Sequence, residues 1–304
     1  NAGGYGILGM VRETPGLIVE EVQALRRATD RPFAVNVIPA ATEPGLLDAQ
    51  ISCCLDMGVP AFSFFWDVMP EVVTRVKRAG CLVLHQVGTV EAARMAADAG
   101  ADVIVAQGVE AGGHVHGRSP VLALTEAILN AVSVPVVASG GLGTGRDLAA
   151  VLSMGAAGIQ CGTAFLATDE SFAHPYHKDR IVKANGADTV LTDIFVLNWP
   201  KGAAVRVIAN SVTQALAGNY LGHDPATLPR EPIAWDGDQP RLRFSTDSPL
   251  RTTTGQLEAM ALYAGTGAGA IKSIVPVSTR MATICAEALD ILSGTSTRGH
   301  ERVS

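Results

Sequence analysis

HQVGTVEAARMAADAGADVIVAQGVEAGGHVHG, residues 85–117, decides the fold. It closes one β-branched apolar run (CLVLHQVG, 81–88), crosses an Ala-rich helical pattern that starts at Thr89 and stops at Gly100, and enters a second apolar run, ADVIVAQG. Strand, helix and strand in that order make a βαβ unit, and strands this apolar are buried on both faces of a parallel sheet. The second strand then empties into a loop carrying Gly112, Gly113 and His114. A strand end positions a side chain rigidly, the two glycines let a flat ligand approach the backbone, and a histidine with an ordinary pKa of about 6.5 is suited to proton chemistry. A Gly-rich turn with a surface histidine is the alternative reading of the same residues.

The rhythm repeats along the chain. GYGILGM, PFAVNVI, AFSFFWD, VPVVASGG and AAGIQCGTAF read as further strands, and TPGLIVEEVQALRRATD, PEVVTRVKRAG and TGRDLAAVLSMG as helices between them. Thr14 and Thr89 are N-cap candidates, and Gly80, Gly100 and Gly155 stand where helices must stop. Seven strands are countable, whereas a TIM (β/α)8 barrel takes eight. The expectation is therefore an α/β TIM barrel whose first strand is missing from this chain, with an open doubly wound sheet as the competing architecture. A gap or a substitute between the runs at 4–10 and 157–165 would favour the barrel. After Phe165 the pattern breaks into segments such as HPYHKDRIV and NWPKGAAVRV, so residues 169–251 read as an inserted lid or substrate subdomain on a barrel made of 1–168 and 252–304. The last apolar pattern is amphipathic and should pack back on the barrel, and the final TSTRGHERVS (295–304) reads as loose.

With 304 residues, 48% hydrophobic and 17% charged, the chain can bury a large core. A net charge of -6 without a run of Lys or Arg argues against nucleic acid as a partner. Cys53, Cys54, Cys81, Cys161 and Cys285 show no C-x-x-C spacing, so neither a disulfide framework nor a metal site is indicated and a cytoplasmic setting fits. No apolar run reaches the roughly 18 residues of a membrane span.

Two turns point to a phosphate ligand. SGGLGTG (139–145) ends the seventh strand position with Gly140 and Gly141, and QCGTAF (160–165) ends the eighth with Gly162 and Thr163. Glycines free the main chain to wrap an anion, and in barrels of this kind a phosphate site often forms after the last two strands. Either turn alone is also an ordinary βα connection. Carboxamides gather at strand ends as Asn36, Gln86, Gln107 and Gln160. An uncharged group that both donates and accepts can read the polar edge of a flavin, although each can equally be a satisfied structural hydrogen bond.

NAGGYGILG, FAVNV, the 85–117 stretch, VPVVASGGLGTGRDLAAVLSMGAAGIQCGTAFLAT and LYAGTGAGAIKSI together resemble the nitronate monooxygenase family. The resemblance implies an FMN-containing TIM barrel that oxidises alkyl nitronates with O2, with His114 as catalytic base. By matching motif it places FMN contacts at Asn36, Gln107, Gly112, Gly113, Gly140, Gly141, Gln160, Cys161, Gly162 and Thr163. The chain departs from the family in lacking a P-M-x-G type first strand and in having Thr266 where many members have Gln.

His116, two residues on, reads as structural or solvent-facing, and Glu110 either holds the His114 tautomer or is solvated. The same AGGH barrel also resembles flavin-dependent enoyl-acyl-carrier-protein reductases and quinone reductases, in which NAD(P)H reduces FMN. The apolar stretches of the last helix would suit a homodimer.

Overall fold

The computed structural model describes residues 1–294. Seven strands, β1 (Gly6–Gly9), β2 (Phe33–Val37), β3 (Ala61–Phe65), β4 (Leu82–Val87), β5 (Val103–Gln107), β7 (Val136–Ser139) and β8 (Gly158–Gln160), form one parallel sheet in chain order. The intervening β6 (Gly113–Val115) belongs elsewhere. Sequential parallel strands joined by helices give the staves of a TIM barrel, here seven of them, with β1 and β8 as unpaired edges. The 295–304 tail expected to be loose lies outside the described residues.

Six helices connect the staves: α1 (Pro15–Ala28), α2 (Pro44–Asp56), α3 (Pro70–Arg78), α4 (Val90–Asp98), α5 (Val121–Leu129) and α6 (Gly145–Ser153). Thr14 and Thr89 accept from the Leu17 and Ala92 N–H groups, and Gly80, Gly100 and Gly155 take the left-handed φ that ends a helix. The outward faces of β2 to β5 bury Val35, Phe62, Phe64, Val83 and Ile104 against Val22, Ile51, Val73 and Ala96 of the helices.

Strand register sets what points inward. Pairs such as Ala34–Ala61, Asn36–Ser63, Leu84–Val103, Gln107–Ser139 and Ser139–Gln160 lie side by side, so the interior runs from apolar at the bottom to carboxamides and hydroxyls at the carboxyl ends. Inward-facing Ile7, on the edge strand β1, is 37% exposed, and Leu82, at the amino end of β4, is 52% exposed.

The irregular segment has a core of its own. β9 (Thr189–Thr192) and β10 (Ala204–Ile208) pair antiparallel, β11 (Pro232–Asp236), β12 (Gln239–Leu242) and β13 (Thr254–Gly255) form another small sheet, and Phe195, Val205, Val207, Ile233 and Met260 pack between them. Five short strands and the tight turns between them left no periodic signal for a sequence reading. The last helix, α7 (Val277–Leu292), lies along α6, and the Glu287 carboxylate accepts from the Gly145 N–H at 2.8 Å. Its other side leaves Leu289, Ile291 and Leu292 exposed. No helix among the described residues is long and apolar enough to cross a membrane.

Candidate active site

The carboxyl ends of β4, β5, β7 and β8 enclose a cleft lined by Gln86, Gln107, Ala111, Gly112, Ser139, Gly140, Gly141, Gly143, Gln160, Gly162 and Thr163, with Gly267 and Ile271 opposite. It holds about 120 Å³, several times the roughly 30 Å³ share of one water, so it is ligand-sized rather than a hydration hole. The Gln160 carboxamide donates to Gln86 Oε1 at 2.6 Å across the mouth. Asn36, also inward-facing, donates to the Ser63 carbonyl at 3.0 Å and stands outside the cleft wall. Cys161 packs sideways against the Ala164–Ile181–Leu262 cluster, and burial, with Asp147 adding to it, pushes its thiol up to about 11. A thiolate nucleophile is therefore not on offer there.

Gly140 and Gly141 turn with φ of 110° and 72°, and a Cβ on Gly141 would sit 2.8 Å from both Glu110 Cβ and Thr266 Oγ1. The rest of this turn is spent on the protein: the Asp147 carboxylate accepts from the Gly143 and Thr144 N–H groups, closing a capping box at the start of α6. In contrast, the Gly141, Gly162 and Thr163 N–H groups reach no protein acceptor among the described residues, and the space where a Gly162 Cβ would stand is open. No Lys, Arg, Asp or Glu among the described residues lines the cleft. What it presents to a ligand is main-chain N–H, three glutamine amides and hydroxyls, a set suited to an anion held by dipoles rather than by a counter-charge.

Gln107 joins this cleft to the histidine. Its Nε2 donates to the His114 carbonyl at 2.8 Å and its Oε1 accepts from the His116 N–H at 3.2 Å, so both ends of the amide hold the strand that carries the imidazole. That strand, expected as a loop, is β6, paired with β10 so that His114 faces Val205. Its partner comes from the inserted segment, a non-local pairing that a strand-by-strand reading cannot see.

The adjoining glycines serve close backbone approach. A Cβ on Gly112 would lie 2.4 Å from the Gly265 nitrogen, and one on Gly117 would lie 2.2 Å from the Gly88 carbonyl oxygen. Gly112 was expected to admit a flat ligand, yet its own chain fills that space. Gly265 in turn donates to Thr163 Oγ1 at 3.0 Å, and Thr266 donates to the Glu110 carbonyl at 3.0 Å, so residues 263–268 knit the histidine loop to both turns of the cleft. Gly112→Ala is expected to destabilise the protein by about 3 kcal/mol or more, at or above the top of the usual overpacking range, because backbone rather than a flexible side chain must move. A melting temperature equal to that of the unsubstituted protein would contradict this.

The His114 imidazole stacks on the Trp199 indole with ring centroids 3.7 Å apart and planes at 26°, and Trp66 and Tyr263 stand edgewise or tilted at 6.4 and 6.0 Å. Burial first, and the Arg12 cation second, push its pKa down to about 3, so the expected value near 6.5 does not hold in this packing and the ring is neutral at pH 7. Its Nε2 is buried without a partner among the described residues, as are His116 Nδ1 and Trp199 Nε1.

Of the two readings open for His116, the structural one fits, since its ring lies 4.7 Å from that of Trp66. Glu110 neither orients His114 nor is solvated, because its carboxylate accepts from the Val121 N–H at 2.9 Å, at the start of α5.

Trp66 and Trp199 are the residues a sequence reading misses. Trp66 follows β3 directly, where strand ends carry function, and its φ of 82° is the kind of strain, of about 1–3 kcal/mol, that persists where surroundings over-determine it. Trp199 sits in the unpatterned NWPK turn and gave no local signal.

Comparison with known proteins agrees with this architecture. A family description, nitronate monooxygenase, matches residues 39–287. A probable nitronate monooxygenase of Bacillus subtilis is 36% identical over 249 residues, covering 69% of this chain and 70% of that protein. A (3aS,4S,5R,7aS)-5-hydroxy-7a-methyl-1-oxo-octahydro-1H-indene-4-carboxyl-CoA dehydrogenase of Rhodococcus jostii is 37% identical over 73% of this chain and 61% of its own length. The chain thus spans less than two thirds of that relative. Among solved structures, FabK from Thermotoga maritima superposes with a TM-score of 0.80 at 30% identity, covering 97% of this chain and 88% of that one. Nitroalkane oxidase from Streptomyces ansochromogenes gives 0.78 at 31%, covering 97% and 91%. On the match from 39 to 287 and these likenesses, the chain belongs to the nitronate monooxygenase family.

Proposed function

We propose that this protein oxidises alkyl nitronates with O2 using FMN, with His114 at the reacting end of the site. The observation that carries the reading is the double use of Gln107, which lines the cleft and holds the His114 strand by both ends of its amide. The cleft fits a phosphate monoester through its uncommitted N–H groups and neutral lining. Gly140, Gly141, Gly162 and Thr163 would hold the phosphate, and Gln107, Gly112 and Gln160, which line the rest of the cleft, would complete the binding set, whereas Asn36, Gly113 and Cys161 stand off it. When bound, the flavin supplies redox chemistry, taking electrons from the substrate for delivery to O2.

The chain's own residues do the rest. The neutral His114 can accept the α-proton of a nitroalkane at Nε2, whereas a nitronate already lacks that proton and asks the ring only for a hydrogen bond. A pKa held near 3 makes His114 a weak base, so the packing favours the nitronate over the neutral nitroalkane. Trp66 and Trp199 exclude water around the imidazole, and residues 169–251, which carry the Trp199 turn, act as a lid.

The relatives named as dehydrogenases favour a second reading, an NAD(P)H-dependent flavin reductase. Anaerobic mixing of the flavin-loaded protein separates the two. Rapid bleaching at the flavin absorbance by propyl-2-nitronate, with little by NADH or NADPH, is the expected result; bleaching by the nicotinamides alone would replace the first reading with the second.

A further inference from the structure

The cluster around His114 holds more polar atoms than the packing uses. Three buried ring nitrogens, His114 Nε2, His116 Nδ1 and Trp199 Nε1, have no partner among the described residues, and they belong to rings in mutual contact through Trp66 and Trp199. Buried polar atoms are ordinarily bonded, so several orphans in one place mark a ligand seat. The charge nearest this cluster is positive. The Arg12 guanidinium lies 5.4 Å from the Trp199 ring and donates to the Asn198 carbonyl, and it forms no ion pair among the described residues. Asp247, the carboxylate on that side, is 3.6 Å from Arg241 and so is already matched. Arg12 itself has a left-handed φ of 61°, which fixes the direction from which its side chain departs.

The Trp199 turn is latched rather than loose. The Asn198 side-chain oxygen accepts from the Thr246 N–H at 2.7 Å and from its hydroxyl at 2.8 Å, and the Trp199 N–H donates to the Val196 carbonyl at 3.1 Å. A fixed indole over a reactive imidazole is a wall, and a wall sets a size limit.

We infer that Arg12 and Trp199 form the seat of a small planar oxyanion, a nitronate or its carboxylate look-alike, at the edge of His114, with the Trp199 indole limiting the length of alkyl chain that fits. The inference rests on the proposed reaction only in sharing its site, since carboxylate binding requires no turnover. Arg12 supplies the counter-charge, the orphaned ring nitrogens supply directional contacts to the two oxygens, and the Trp66 ring receives the alkyl part up to the Trp199 wall.

Calorimetric titration of the flavin-loaded protein with butyrate and octanoate tests it. An open apolar site gains about fourfold in affinity per added methylene; the unsubstituted protein should bind butyrate and show no gain for octanoate. Trp199→Ala should release the limit and raise the octanoate-to-butyrate affinity ratio at least about tenfold, while Trp199→Phe, which keeps a flat ring, should leave it low. Arg12→Gln should weaken both carboxylates about tenfold and leave uncharged octanamide unchanged. A fully folded Trp199→Ala protein with an unaltered ratio, an Arg12→Gln protein with unaltered carboxylate binding, or no carboxylate binding at all would overturn the assignment. If carboxylates bind as described and nitronates are not oxidised, the seat stands and the proposed reaction fails.

Discussion

His114→Asn is expected to keep its flavin, to lose about 10²-fold in kcat/KM on neutral nitroalkanes, and to change much less on preformed nitronates. A well-placed general base is worth roughly 10² to 10⁴ in rate. The lower figure applies because burial under Trp199 and the Arg12 charge push this imidazole down to about 3, away from the working pH at which proton acceptance is most efficient. Asparagine preserves the size and the backbone, including the carbonyl that Gln107 grips, so flavin retention separates lost chemistry from lost structure. Steady-state assays on a nitroalkane and on its nitronate, with the visible spectrum of each preparation, decide the matter. Equal losses on both substrate forms would assign His114 to binding, and no loss on either would remove it from the reaction.

Acid should unfold this protein steeply, and well above the pH at which its carboxylates protonate. Burial pushes His85 and His177 down to about 4 and His114 to about 3. In the unfolded chain each would take up a proton near 6.5. The unfolded state therefore binds more protons, so the stability from keeping these rings neutral is complete above about pH 6.5 and is lost as pH falls through the interval toward 4. Three protons correspond to as much as about 4 kcal/mol per pH unit, so two units can erase most of a typical stability of about 5–15 kcal/mol. The lowered carboxylates, Asp236 among them, act in the same direction but only below about pH 4.5. Urea midpoints at pH 7.5, 6.5, 5.5 and 5.0 read the histidine window alone, and a midpoint constant across them would refute the account. His85→Leu, which replaces a wholly buried ring in the β4 wall by an apolar side chain, should remove about a third of the slope.

The barrel was legible because its strands are apolar on both faces and its helices begin and end on cap residues that act locally, such as Thr89 and Gly100. The paired glycine turns and the carboxamides could also be read, since strand polarity alone brings Gln86, Gln107, Ser139 and Gln160 to one rim. What stayed hidden depends on contacts distant in sequence. β6 exists only because β10, about 90 residues on, supplies its hydrogen bonds. Glu110 was ambiguous because its partner is the amide of Val121, and an acid's address cannot be read before the helix that needs it is placed. The depression of the His114 pKa required knowing that Trp199 lies on it, and a lone tryptophan in an unpatterned turn announces nothing.

The position of Gln107 has a practical corollary for anyone sorting variants of this protein. Because one side chain stands between the glycine turns and the imidazole, on the proposed function a substitution there would be scored as defective in cofactor retention, in turnover or in both, depending on which assay is run first. Neither score alone diagnoses it; only paired measurements on the same preparation would reveal a shared hinge pin rather than two separate lesions.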